Sequence, residues 1–218
     1  MPITPQDASR RTREICSLAP IIPVLVIEDA TTARPLAEAL VSGGLPALEV
    51  TLRTPAALDA IRAMSEVPGG HVGAGTLITP QDVRDAKAAG ATFGVSPGAT
   101  DELLATCEDE GLPLLPGSAT ATEAMRLLAR GYDMQKFFPA EASGGVPAVQ
   151  AIGAPLPQVA FCPTGGINMS NALSYLELPN VICAGGSWIA PASLVSAADW
   201  AGVVQLAQSA AQLCGRSR

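Results

Sequence analysis

The sequence predicts a single (β/α)8 TIM barrel of the α/β class, and three observations carry that reading. Eight short apolar runs recur along 218 residues, with starts mostly about 20 residues apart, the spacing of successive strand–helix units. The stretches between the runs bear helix start and stop signals. No linker, low-complexity segment or second composition regime divides the chain, so 1–218 is expected to be one domain. An open doubly wound sheet is the competing arrangement.

The runs are 20–27, 47–52, 71–76, 93–97, 112–116, 134–140, 159–164 and 181–185. Between them, Thr79-Pro80-Gln81-Asp82 offers a cap, a proline at the first helical position and an acid in the first turn. Thr120-Ala121-Thr122-Glu123 reads as a capping box. Gly43-Gly44, Gly90 and Gly131 fall where helices must stop. An N-terminal segment of about 1–18 precedes the first run, and 193–213 reads as a closing helix.

Apolar residues make up 48% of the chain and charged ones 15%, against about 25% in an ordinary soluble protein. So little charge implies a large buried fraction or surface covered by another subunit. The net charge is −7 with no basic cluster; no nucleic-acid partner is expected, and an anionic substrate must be held by local donors. Cys16, Cys107, Cys162, Cys183 and Cys214 show no C-x-x-C spacing and read as buried reduced thiols. The N-terminal stretch lacks the apolar run of a signal peptide, and no segment reaches the roughly 20 apolar residues of a membrane span. A cytoplasmic protein with no membrane partner is therefore expected.

A strand buried on both faces should be apolar throughout, and two runs break that rule. In Ala47-Leu48-Glu49-Val50-Thr51-Leu52-Arg53, alternation sends Leu48, Val50 and Leu52 to the helix layer. Glu49, Thr51 and Arg53 then face the barrel interior. A carboxylate there is costly unless paired; a Glu49–Arg53 pair that merely closes the barrel is the structural alternative. In Met134-Gln135-Lys136-Phe137-Phe138-Pro139-Ala140, Lys136 lies mid-strand. The other lysine, Lys87, lies in a polar helical pattern. Burial penalises the charged amine, and a neutral amine attacks carbonyl carbon to give a Schiff base. A Lys136–Glu49 staple without chemistry remains open on the residues alone.

A protonated Schiff base on a 2-keto acid is an electron sink, and Glu49 is the base that would move protons beside it. The seventh and eighth runs end in glycine pairs, Gly165-Gly166 and Gly185-Gly186, the latter followed by Ser187. Backbone N–H groups approach an anion closely there, in the loops that form the recurrent phosphate site of such barrels. Arg53 is suited to gripping a carboxylate. Thr76 donates to the same group or serves as an N-cap or turn hydroxyl. His71 opens the third strand at the far end and reads as a surface residue. Trp188 is core or rim. No His–carboxylate cluster has metal spacing, and no nucleotide fingerprint is present.

The segment Gly44-Leu45-Pro46-Ala47-Leu48-Glu49-Val50-Thr51-Leu52-Arg53 resembles the catalytic-glutamate motif of the 2-keto-3-deoxy-6-phosphogluconate (KDPG) / 4-hydroxy-2-oxoglutarate aldolase family. Lys136-Phe137-Phe138-Pro139-Ala140 resembles that family's Schiff-base lysine motif. Residues 72–76, Ser96-Pro97-Gly98, 161–166 and Gly185-Gly186-Ser187-Trp188 are also similar to its blocks, so the resemblance spans about 20–188. It implies a class I aldolase, a lyase of the Entner–Doudoroff route, that cleaves 2-dehydro-3-deoxy-6-phosphogluconate to pyruvate and glyceraldehyde 3-phosphate. It implies that Lys136 forms the Schiff base, Glu49 moves protons, and Arg53 and Thr76 hold the pyruvyl carboxylate. Thr164, Pro97 and Phe138 would line the site, and Gly165, Gly166, Gly185, Gly186 and Ser187 would surround the phosphate. No cofactor or metal and a cytoplasmic homotrimer are implied. Gln135 departs from the family's apolar residue; alternation turns it toward the helix layer, where its amide needs partners. The rivals are a phosphate-binding barrel isomerase or synthase that forms no imine, an aldolase for the galactonate epimer or for unphosphorylated 4-hydroxy-2-oxoglutarate, and a binding barrel in which the Glu–Lys pair is structural.

Overall fold

The computed structural model describes residues 1–213. Its strands are β1 (Ile21–Leu25), β2 (Ala47–Thr51), β3 (His71–Gly75), β4 (Phe93–Val95), β5 (Leu114–Leu115), β6 (Gly117–Ser118), β7 (Met134–Phe137), β8 (Ala160–Pro163) and β9 (Ala184–Gly186). All pair in parallel, in the orders β5-β4-β3-β2-β1-β9 and β6-β7-β8. Bridges from Phe161 to Val181 and from Thr164 to Gly185 join the two sheets and close the ring. Sequential neighbours and closure rule out the open doubly wound sheet, whose strand order reverses part-way.

The fifth barrel strand differs from the expected run 112–116. It continues past Pro116 to Ser118 and is split into β5 and β6 there, because proline has no N–H for the ladder. The Pro116 carbonyl still accepts from Lys136 N–H at 2.8 Å. For the same reason β7 ends before Pro139, short of the expected 134–140. The expected helix over 193–213 is two helices, α9 (Ala192–Ser196) and α10 (Trp200–Ala211). Ala198 takes φ 50° between them, and the Asp199 carboxylate caps the new start by accepting from Gly202 N–H.

The remaining helices are α1 (Pro5–Cys16), α2 (Ala33–Ser42), α3 (Ala57–Ser65), α4 (Pro80–Ala88), α5 (Asp101–Glu110), α6 (Ala121–Arg130), α7 (Gly145–Gly153) and α8 (Ala172–Leu176). Capping boxes start α4 at Thr79 and Asp82, and α6 at Thr120 and Glu123. Gly44, Gly90 and Gly131 leave their helices at positive φ, where a Cβ would be strained. Helix α1 crosses the bottom of the barrel: Ser9 Oγ accepts from the N–H groups of Asp133 and Met134, where β7 begins.

Two cores result. Leu48, Val50 and other outward strand residues pack under the helices, each fully buried side chain contributing about 1.5–3 kcal/mol. Inside the ring, Ile22, Ala47, Phe93, Val95, Leu115, Met134 and Ala160 pack with Cys16, Cys162 and Cys183. Gly73 leaves room for the Phe93 ring, which lies 2.4 Å from where a Cβ would stand. Cys16, Cys107, Cys162 and Cys183 are free thiols and buried; Cys214, with 214–218, lies outside the described residues. Among the described residues no helix is long and apolar enough to cross a membrane.

Candidate active site

Alternation along β2 and β7 brings the two charged side chains together. Glu49 and Lys136 both point into the ring, 3% and 5% exposed. Lys136 Nζ donates to Glu49 Oε1 at 3.1 Å and to Oε2 at 3.5 Å. Each charge meets its desolvation cost by pairing with the other. The Glu49–Arg53 pair does not form. A Cβ at Gly75, on the neighbouring strand, would lie 2.3 Å from Glu49 Oε1. Glycine at this position therefore makes space for the carboxylate. The Phe138 ring centroid lies 5.2 Å from Lys136 Nζ, within cation–π range. Cys162 is the register partner of Lys136 on β8.

Gln135 points outward, as alternation requires, and is fully buried. Its Nε2 donates to the carbonyls of Tyr132 and Ala124, at 3.0 and 3.1 Å. Ser118 Oγ donates to its Oε1 at 2.9 Å. The amide thus ties β7 to β6 and α6 with every polar atom satisfied.

At the C-terminal ends of β2 and β3, Arg53 is exposed and its Nε donates to Thr76 Oγ1 at 3.2 Å. Thr76 caps no helix. It holds φ 63°, a costly conformation for a β-branched residue, of the kind concentrated at functional sites. Thr51 faces inward and its hydroxyl donates to Leu25 O at 2.9 Å.

On the opposite rim, Thr164 is buried above Cys162. Gly185 gives it room: a Cβ there would stand 2.4 Å from Thr164 Oγ1. Gly165 and Gly166 take φ 102° and 80°. Their carbonyls are tied back, Gly165 O by Glu141 N–H at 3.1 Å and Gly166 O by Asn171 Nδ2 at 3.0 Å. No described residue accepts from the N–H groups of Gly166 and Ile167. A Cβ at Gly165 would stand 3.3 Å from Pro139 Cα and 3.4 Å from Phe138 Cδ2. Gly186 is covered by the Trp188 ring, whose Nε1 has no acceptor among the described residues. Ser187 is exposed at the end of β9, without a hydrogen bond to the other candidates. Pro97 is half-buried after β4, its carbonyl 2.3 Å from where a Gly117 Cβ would be. His71 is exposed at the start of β3, the opposite end of the barrel. Among the described residues no three His, Cys, Asp or Glu side chains are arranged to hold a metal ion.

The roles of Gly75 and Gly185 as space-makers escaped the sequence reading. Alternation puts Gly75 on the inward face of its strand, but only the register of β2 against β3 shows that it stands beside Glu49.

A closed parallel barrel with a buried lysine–carboxylate pair in its interior is the frame of an aldolase, a lyase. The family described as KDPG and KHG aldolase matches residues 12–206, and the chain belongs to it. The 2-dehydro-3-deoxy-phosphogluconate aldolase of Pseudoalteromonas atlantica is 52% identical over 91% of this chain and 93% of its own. A crystal structure of the 2-keto-3-deoxy-6-phosphogluconate aldolase of Zymomonas mobilis ZM4 with 3-phosphoglycerate superposes with TM-score 0.91 at 48% identity, covering 95% of this chain and 98% of that one. The KDPG aldolase of Legionella pneumophila, with pyruvate captured as a covalent carbinolamine, does so with TM-score 0.89 at 47% identity, covering 92% and 98%.

Proposed function

We propose that this aldolase cleaves 2-dehydro-3-deoxy-6-phosphogluconate reversibly to pyruvate and glyceraldehyde 3-phosphate through an imine on Lys136. It acts in the same way on 4-hydroxy-2-oxoglutarate, giving pyruvate and glyoxylate. The observation that supports this most is Lys136 Nζ, buried and 3.1 Å from Glu49 Oε1, in a chain half identical to aldolases of that name.

The steps follow from the pair. As the substrate's C2 carbonyl arrives, Lys136 passes a proton to Glu49 and its lone pair attacks C2, giving a carbinolamine. Glu49 returns the proton to the carbinolamine oxygen, water leaves, and a protonated imine forms. Glu49 then takes the C4 hydroxyl proton; the C3–C4 electron pair moves into the imine, and the aldehyde departs. Protonation of the enamine at C3 and hydrolysis of the imine release pyruvate and restore the pair. Proton transfer by one placed group contributes about 10²–10⁴-fold.

Arg53 and Thr76, already in contact, grip the pyruvyl carboxylate. Thr164, Pro97 and Phe138 line the path of the substrate. Gly165, Gly166, Gly185, Gly186 and Ser187 hold the phosphate through N–H and hydroxyl groups. The whole chain serves as one catalytic unit in a cytoplasmic homotrimer, and the low charge content supports covered surface between subunits. Pyruvate release from 2-dehydro-3-deoxy-6-phosphogluconate tests the assignment. Wild type and Glu49→Gln should differ by about 10²-fold or more, and Lys136→Ala should release none. Normal turnover by Lys136→Ala would refute it.

A further inference from the structure

The loop after β8 is supported from behind by two residues that the proposed mechanism does not use. Glu141 follows Ala140, and its side-chain stem lies against Gly166, where a Cβ would stand 2.5 Å from Glu141 Cγ. Its N–H donates to Gly165 O at 3.1 Å. Tyr175, on α8, is fully buried, and its hydroxyl donates to Glu141 Oε1. Burial first, and then the adjacent carboxylate, pushes the Tyr175 phenol well above its ordinary range, so it remains a donor.

Glu141 is itself exposed. Its carboxylate has no salt bridge among the described residues, yet it belongs to the side chain packed on a glycine pair suited to an anion. A negative charge free to swing over that pair would repel a phosphate. One that is hydrogen-bonded away leaves the N–H groups unopposed.

We infer that Tyr175 is a positioning residue for phosphate recognition: its hydroxyl holds the Glu141 carboxylate turned away from Gly165-Gly166, so that the loop keeps its shape and its mouth stays free of negative charge. This rests on the reading of that glycine pair as the phosphate site. It concerns discrimination between phosphorylated and unphosphorylated keto acids, and leaves the imine chemistry on β7 untouched.

The test is steady-state kinetics on 2-dehydro-3-deoxy-6-phosphogluconate and on 4-hydroxy-2-oxoglutarate, with Tyr175→Phe, Glu141→Gln, the double variant and Ser187→Ala. Tyr175→Phe keeps the buried ring and loses only the hydroxyl. It should raise KM for the phosphorylated substrate about 10-fold, the low end of what one hydrogen bond to a charged group is worth. Its kcat and both constants for the unphosphorylated substrate should stay near wild type. Adding Glu141→Gln should bring KM back toward wild type, because a neutral amide does not repel an anion. Equal losses on both substrates, or no rescue in the double variant, would reduce Tyr175 to a packing residue and overturn the inference. An unmoved KM in Tyr175→Phe while Ser187→Ala raises it would overturn the inference and leave the phosphate reading standing. If Ser187→Ala also leaves KM unmoved, both fall together.

Discussion

At the proposed pyruvate end of the barrel mouth the working groups are side chains on or just after strands: Lys136 on β7, Glu49 on β2, and Arg53 and Thr76 at the ends of β2 and β3. At the proposed phosphate end they are mostly backbone N–H groups of glycines: Gly165 and Gly166 in the loop after β8, and Gly185 and Gly186 on β9, which are buried against Thr164 and Trp188. The two ends handle charge differently. One concentrates it in a pair 3% and 5% exposed, where an imine can be stabilised. The other, on the proposed reading, would gather partial charges around an anion with no cationic side chain among its proposed residues, in a chain whose net charge is −7. Covalent chemistry needs one group held rigidly. Phosphate recognition needs several weak donors and nothing in their way.

Substitutions break this contrast in order of size. Lys136→Ala should lose more than about 10⁴-fold in turnover, as expected for removing a covalent nucleophile. It should also cost about 3 kcal/mol on denaturant unfolding, because Glu49 is left buried without its partner. Gly75→Ala comes next: the new Cβ forces the Glu49 carboxylate out of line with Lys136, and a displacement of that kind costs about 10²-fold in kcat. A kcat within twofold of wild type would mean that Glu49 has slack that the glycine does not govern. At the other end, Ser187→Ala should raise KM for the phosphorylated substrate about tenfold, one hydrogen bond to a charged group, while pyruvate trapping is unaffected.

The smallest effect belongs to the start of α6, which serves neither end. Thr120→Ala removes the cap of α6 and should cost about 1 kcal/mol with kcat and KM unchanged. Ala119 N–H, the main cause, and Thr120 hold the Glu123 carboxyl below its ordinary value. Its share of the cap is therefore present above the unfolded-state pKa and is lost as pH falls through the folded-state one. Thermal unfolding from pH 7 down to pH 3 checks that sign.

The buried Glu49–Lys136 pair was legible in the sequence because charges on a buried strand violate its apolar pattern. Glu49 and Lys136 stand out in runs that are otherwise suited to a barrel wall. Alternation also gave Gln135 its outward direction, though not the identity of its partners: Ser118, Ala124 and Tyr132 come from three other segments. The fold was legible from the spacing of the runs and from the caps at Thr79 and Thr120. Two features were not. The split at Pro116 hid a strand that resumes beyond a proline, and the break at Ala198 hid a second helix start at Asp199 inside an apolar stretch. Gly75 and Gly185 were hidden for a different reason. A glycine that makes room for a particular atom looks like any other until the neighbouring strand's register is known.

The most direct test of the account is reductive trapping. The protein is incubated with pyruvate, treated with borohydride, digested and mapped by mass spectrometry. The account predicts a stable pyruvyl-derived adduct on Lys136, absent from Lys87 and abolished in Lys136→Ala. Folded protein that turns over substrate yet leaves Lys136 unmodified would contradict it and reduce the Lys136–Glu49 pair to a staple of the barrel.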